Sequence, residues 1–316
     1  MRFARRLLGV IGLALAAGPA AAGSVWVASQ QGARATRIER PEGAPAIALA
    51  VAPSPAVVTA GPGGRLYLSH PDGRAITMIA ADGTTRQWPV PGQPFGLAAD
   101  PDGRSLYVGD WSGNRVLRLS AETGAVEAEV AVGRDPAGLT LGANGRLYVA
   151  EREGRSVGVV DTARMARIAG IPVGDGPFAL AYDPVRDRVY VANVRSNDLS
   201  VIDAGTLKPV ATVPVGASPY GVAISPDGRR VVVTNQHSGT ISIVEADTLA
   251  VAATVPVGRY PEGVAILGGR AYVANWFSDD ISVIDLAASK ETGRIPVAEG
   301  PRTLAVEQPV PGEAVR

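Results

Sequence analysis

Apolar and polar residues alternate along most of this chain in short runs, and the runs are interrupted at close intervals by Pro, Gly and Asp. The stretch from Pro219 to Gly258 shows the pattern most cleanly. YGVAIS alternates small and large apolar residues, SPDGR is a tight turn, RVVVTN is a β-branched run, TISIVE alternates again, DTLA turns, and VAATVPVG ends at Gly258. Period-two alternation bounded by turn residues predicts strands, and nothing in the unit has helical apolar spacing. Each such unit is therefore expected to be one sheet of four short antiparallel strands.

The unit repeats. VWVAS at Val25, LYLSH at Leu66, LYVGD at Leu106, LYVAE at Leu147, VYVAN at Val189, VVVTN at Val231 and AYVAN at Ala271 occupy the same place in seven successive copies. Their second residues, from Trp26 to Tyr272, are 41, 40, 41, 42, 42 and 40 residues apart. A four-stranded unit repeated at a period near forty predicts an all-β, seven-bladed β-propeller. The first copy lacks a strand before SVWVAS, while the last is followed by a spare one, PRTLAVE, at Pro301 to Glu307. That strand is expected to complete blade one and close the ring, leaving no sheet edge open. The propeller is expected to span 23–307, followed by a short tail over 308–316.

Residues 1–22 read differently. Arg2, Arg5 and Arg6 precede an apolar stretch from Leu7 to Ala17, which ends near Ala20-Ala21-Ala22. This is the pattern of a secretory signal peptide, too short for an ordinary membrane span, with cleavage expected after Ala22. The Arg5-Arg6 pair leaves a twin-arginine route open beside the general one. A periplasmic or secreted protein with no membrane attachment after cleavage is expected. The chain has no Cys, which excludes thiol chemistry, disulfides and a lipid-bearing Cys. Loss of Arg2, Arg5 and Arg6 from 30 basic residues leaves 27 against 30 acidic, a net charge of −3 that argues against nucleic acid as a partner. A monomer is expected, because blade packing accommodates roughly 285 residues without a second domain.

The runs VYVAN, VVVTN and AYVAN, each followed by a Ser-initiated turn, an alternating strand ending in Asp or Glu, and further on a P-x-G-V-A strand, resemble the YVTN-repeat β-propellers, including YncE-like proteins. The resemblance covers the whole mature chain and is clearest in blades five to seven. It implies an exported seven-bladed propeller, and it implies for some members an accessory role in periplasmic quinoprotein oxidation systems. It implies no single activity, since function resides in sites grafted onto a fold. His70, Asp110 and Glu151 stand where the repeat motif has Asn.

Catalytic signals are thin. His70 and His237 are the only histidines and lie three blade steps apart. No Ser has a nucleophile-elbow context, no glycine-rich loop opens a helix, and the Trp signature of quinone-cofactor propellers is missing. No cofactor is expected and no catalytic residue is assigned. The end of the second strand places Asp110, Glu151 and Asn193 on consecutive blades. These are plausible hard-cation ligands, since some propeller lactonases and lyases hold a divalent ion at such a mouth. They are better suited to bonding loop backbone, as short polar side chains in turns commonly do, and no metal is expected.

The stronger signal is the placement of the aromatics. The tyrosines of the repeated strand read as core, whereas Phe95, Phe178, Tyr220 and Tyr260 lie in the turns between blades, and Trp111, Trp276 and Phe277 in the loops between second and third strands. Arg134, Arg152, Arg195, Arg259 and Arg302 are interspersed with them, together with Asp135, Glu262 and Asp279. Aromatic and Arg enrichment is the composition of binding hot spots. The sequence alone therefore points to an exported, non-catalytic binding or scaffold propeller, with an unidentified protein or small molecule on this loop face. The alternative is a propeller lactonase or lyase with a metal near Asp110 and Glu151, and His70 or His237 moving protons.

Overall fold

The computed structural model describes residues 23–39, 45 and 47–307. The expected leader and tail, 1–22 and 308–316, lie outside the described residues. The described residues form seven four-stranded antiparallel sheets around a central channel, a seven-bladed β-propeller. Blades two to seven each take four consecutive strands. Blade one is assembled from Pro301–Glu307, Ser24–Ser29, Arg34–Ile38 and Ile47–Ala50, in that order. Trp26 faces Ala305 across the closing ladder, so the C-terminal strand does supply the missing innermost strand.

The core lies between blades. Seven apolar clusters are present among the described residues, each spanning one of the interfaces between neighbouring blades. The motif tyrosines Tyr67, Tyr107, Tyr148, Tyr190 and Tyr272 are all at most 3% exposed. Tyr190, for example, packs against Val231 and Val233 of the following blade. The β-branched and aromatic residues of the second strand thus fill the wedge between adjacent sheets, which explains why that strand repeats most faithfully.

The innermost strands are less regular, and this positions the site. In blades three to seven the ladder slips by one residue just after the opening proline, as between Pro219 and Val222 or Pro261 and Val264. Blade one has the same irregularity, where Pro301 faces Ser29 and Thr303 faces Ala28. A bulge of this kind turns the extra residue out of the ladder. The extra residues are Phe95, Ala137, Phe178, Tyr220, Glu262 and Arg302. In four blades the next residue is Gly, because the bulge of the neighbouring blade crosses there: a Cβ on Gly221 would lie 2.3 Å from the Glu262 carbonyl, and one on Gly263 would lie 2.6 Å from that of Arg302.

Candidate active site

Two rungs of side chains surround one mouth of the channel. The inner rung is the bulge residue of each innermost strand, and the outer is the residue after each second strand, including Gln30, Pro71, Trp111, Arg152, Gln236 and Trp276. Together they enclose a cup of about 370 Å³ lined by Gln30, Asp72, Phe95, Trp111, Arg152, Phe178, Tyr220 and Arg302 among others. Phe95, Phe178 and Tyr220 also line the channel below and so form the floor. Their rings touch in series, Phe95 to Phe178 at 5.7 Å and Phe178 to Tyr220 at 4.1 Å between centroids, with Trp111 5.0 Å from Phe95.

The side of the cup built by blades six, seven and one is polar. Glu262 is 5% exposed. Its Oε1 accepts from Gln236 Nε2 at 3.0 Å, its Oε2 lies 3.3 Å from Arg302 Nε, and no hydrogen-bond donor meets Oε2 within normal geometry. Arg302 donates from Nη2 to the Tyr220 hydroxyl at 2.9 Å and from Nη1 to Gln30 Oε1 at 3.0 Å. Loss of solvent on burial pushes the Glu262 carboxyl up to about 7, against the opposing pull of Arg302 and the Gln236 amide. The same desolvation pushes the Tyr220 phenol up to about 12, although Arg302 favours its ionised form. A buried carboxyl that is half-ionised near neutral pH, beside a fixed guanidinium, is equipped to take and return a proton while the cation holds developing negative charge.

The residues singled out from the sequence separate into three groups. Phe95, Trp111, Phe178, Tyr220, Trp276, Arg152 and Arg302 converge on the cup, Arg302 lying 5.3 Å from the Phe95 ring centre and 5.8 Å from that of Trp276. Tyr260 and Phe277 form a separate rim cluster with His237, and Phe277 is 54% exposed. Arg195 and Arg259 tie loops together instead: Arg195 pairs with Glu153 and Asp175, and Arg259 donates to the Phe277 carbonyl.

Asp110, Glu151 and Asn193 do not face a common point. Asp110 is held by Arg115 at 2.9 Å and accepts from the Gln93 and Gly113 amides. Glu151 takes both Arg167 Nε and Nη2, the Ser156 hydroxyl and the Gly133 amide. Asn193 donates to Asp198 and Ser200. These side chains staple the loops of their own blades, so they do not fit the divalent-ion site considered from the sequence, and no group of three or more His, Asp or Glu suited to a metal occurs among the described residues. His70 is not available for proton transfer either. It is fully buried, with Nδ1 against the Pro53 carbonyl at 3.0 Å and Nε2 against the Thr77 hydroxyl at 2.9 Å, and burial lowers its pKa.

Glu262 was counted among the polar residues of the loop face but not assigned a role. The signal that could have found it is its place directly after the strand-opening proline, where Phe, Ala, Tyr, Glu and Arg replace one another while the proline repeats.

Among solved structures, the chain resembles a catalytically inactive histidine-to-alanine variant of virginiamycin B lyase from Staphylococcus aureus with quinupristin, at 14% identity and a TM-score of 0.70 over 81% of this chain and 93% of that one. It resembles a putative 6-phosphogluconolactonase from Bacteroides uniformis at 17% identity and a TM-score of 0.75, over 91% and 100%. Hydrazine synthase from Kuenenia stuttgartiensis matches at 21% identity and a TM-score of 0.72, over 79% and 89%. At these identities the likeness is one of fold. A search of curated protein sequences finds no match.

Two family models do match: a seven-bladed β-propeller lactonase over residues 179–267, and the virginiamycin B lyase family over 9–210. They overturn the expectation of a non-catalytic scaffold, because both matched families are named for enzymes. The acids of the motif strands are bound within their own blades, and the titratable pair Tyr220 and Glu262 sits instead on the bulges. With the lyase model spanning most of its length, the chain belongs to the virginiamycin B lyase family.

Proposed function

We propose that this chain is a propeller lyase whose reaction takes place in the cup, with Glu262 as the proton-transfer group. The observation that carries the proposal is the Glu262 carboxyl itself, buried, pushed up to about 7, with Oε2 free of a hydrogen-bond donor and 3.3 Å from Arg302. An elimination begins with removal of a proton from carbon beside a carbonyl, and the charge that develops on the carbonyl oxygen needs a fixed donor. Glu262 supplies the base and Arg302 the donor. Tyr220, kept protonated by its burial, can hydrogen-bond the departing oxygen, and the proton taken by Glu262 is released to that oxygen or to solvent, which restores both groups. The staphylococcal relative loses activity when a histidine is replaced. Of the two histidines here, His70 is locked in the blade and His237 bonds Ser218 at the rim, which leaves Glu262, buried directly behind the cup-lining Arg302, as the base nearest that cation.

A lactonase is the second reading, favoured by the match over 179–267, which contains both Tyr220 and Glu262. There Glu262 would activate water against a cyclic ester. Incubation of the purified protein with virginiamycin B, quinupristin and a panel of simple lactones, followed by mass spectrometry, separates the two. Elimination within a ring gives an isomer of unchanged mass, and hydrolysis adds one water. Glu262→Gln is expected to lower kcat by about 10²-fold or more. Full activity in that variant would refute the assignment.

We propose further that the protein is exported, on the strength of the basic, apolar and small-residue order of residues 1–22, and that its blades are of the YVTN type. Mature protein from the periplasm is expected to begin at Gly23, which N-terminal sequencing would check.

A further inference from the structure

The two cations of the cup are not equivalent. Arg302 is compensated by Glu262, Tyr220 and Gln30. Arg152 forms no ion pair among the described residues, although the neighbouring Glu153, itself bound to Arg195, feels its charge. Its guanidinium carbon lies 5.7 Å from the Trp111 ring centre and 5.9 Å from that of Phe178. Among the described residues its side chain has no hydrogen bond or ion pair, and its Nε is buried without a partner. The adjacent Glu153 pairs with Arg195. Asp72, the acid that lines the cup, is exposed to solvent and acts on Arg302.

A guanidinium held against aromatic faces and turned to a confined space has shed part of its hydration without receiving an anion in exchange. Such a group discriminates strongly for a ligand that brings the anion. Its planar fork matches a carboxylate, and the rings of Phe95, Trp111 and Phe178 form flat walls beside it. We propose that the cup binds an organic anion, a flat unsaturated or aromatic ring carrying a carboxylate, with that carboxylate on Arg152 and the ring against the aromatic wall. This rests on the cup being the active site, and it directs the search for substrates to lactones and cyclic esters that also carry a carboxylate on an unsaturated or aromatic ring.

The test is calorimetric titration of the full mature protein with 1-naphthoate and with its neutral counterpart 1-naphthamide. Naphthoate is expected to bind about tenfold tighter or better, corresponding to at least about 1.4 kcal/mol, and to weaken as salt is raised, while naphthamide is insensitive to salt. Arg152→Gln should remove the preference and leave naphthamide binding in place. Trp111→Leu should weaken both probes together. Equal affinity for the two probes, no binding of either, or a preference that survives Arg152→Gln would overturn the proposal. These readouts are independent of turnover. If the preference fails while lactone or virginiamycin turnover still depends on Glu262, only the subsite is wrong. If the preference holds while Glu262→Gln retains full activity, the subsite stands and the catalytic assignment falls.

Discussion

Ring closure can be tested at a single carboxylate. Glu307 ends the closing strand, and its Oε2 accepts from Ser24 Oγ at 2.6 Å and from Trp26 Nε1 at 2.9 Å, with Arg37 Nε 3.4 Å away. All three partners lie at the opposite end of the chain, so this side chain locks the last strand to the first two. Glu307→Ala removes two hydrogen bonds to a charged acceptor, each contributing about 1.5–3 kcal/mol, and leaves the indole N–H of a buried tryptophan without a partner. These costs overlap, and because the side chain is 16% exposed water recovers part of them, so a net loss of about 3 kcal/mol is expected. For a domain of this size about 2 °C is lost per kcal/mol, so the melting temperature should fall by about 6 °C in scanning calorimetry. Glu307→Gln keeps an acceptor and should lose roughly half as much. A melting temperature within about 1 °C of wild type for the alanine variant would show that closure does not depend on this contact.

Tyr190→Ala should cost about 3–5 kcal/mol in chemical denaturation, since the ring is fully enclosed between blades, while Phe277→Ala on the exposed rim should stay within about 0.5 kcal/mol. Glu151→Ala should destabilise by about 2 kcal/mol, below the usual cost of stranding a buried ion because Arg167 is 38% exposed, and added divalent cations should not restore the loss. The native state holds a proton on Glu262 up to about 7 that the unfolded chain releases near its ordinary value of 4.5, so stability should fall as pH rises through that window, by up to about 3 kcal/mol. Denaturation between about pH 5 and pH 8 should show this slope in wild type and a flatter one in Glu262→Gln. Gly263→Ala should cost about 1–3 kcal/mol and lower turnover, because the new Cβ meets the Arg302 carbonyl and separates Arg302 from Glu262.

The fold was legible because the residues that build it recur. Valine and tyrosine of the second strand fill every wedge between blades, so seven copies of one pattern report seven equivalent packing environments, and the unmatched PRTLAVE strand identifies the seam. The Phe95, Phe178 and Tyr220 cluster was legible as aromatics beside prolines, and its place over the channel follows from the turn chemistry. Glu262 was not, since a glutamate in PEGVA looks like any solvated turn acid until the bulge is seen to aim it inward. Asp110 and Glu151 drew notice in the sequence for the opposite reason. They stand out against the repeated Asn of the later blades, but Arg115 and Arg167 occur beside them and neutralise them within their own blades.

The Pro-x-Gly triplet accounts for both the regularity of the fold and the location of the chemistry. Proline begins a strand that needs no amide at its first position, and in four blades glycine two residues on lets the neighbouring blade's bulge carbonyl pass within a distance no side chain allows, while Ala179 and Thr303 stand there in blades five and one. The residue between them is left outside the ladder, facing the channel, with no packing role that must be repeated. Blades three and five use it for Phe95 and Phe178, which close the floor, and blades six, seven and one use it for Tyr220, Glu262 and Arg302. Because consecutive blades are adjacent in space, three residues about forty positions apart in sequence form one contiguous cluster of phenol, carboxyl and guanidinium. The scaffold around them is unchanged. Chemistry can therefore be exchanged at this position at little cost in stability, which is how one repeat unit carries both an aromatic floor and an ionisable cluster in the same ring.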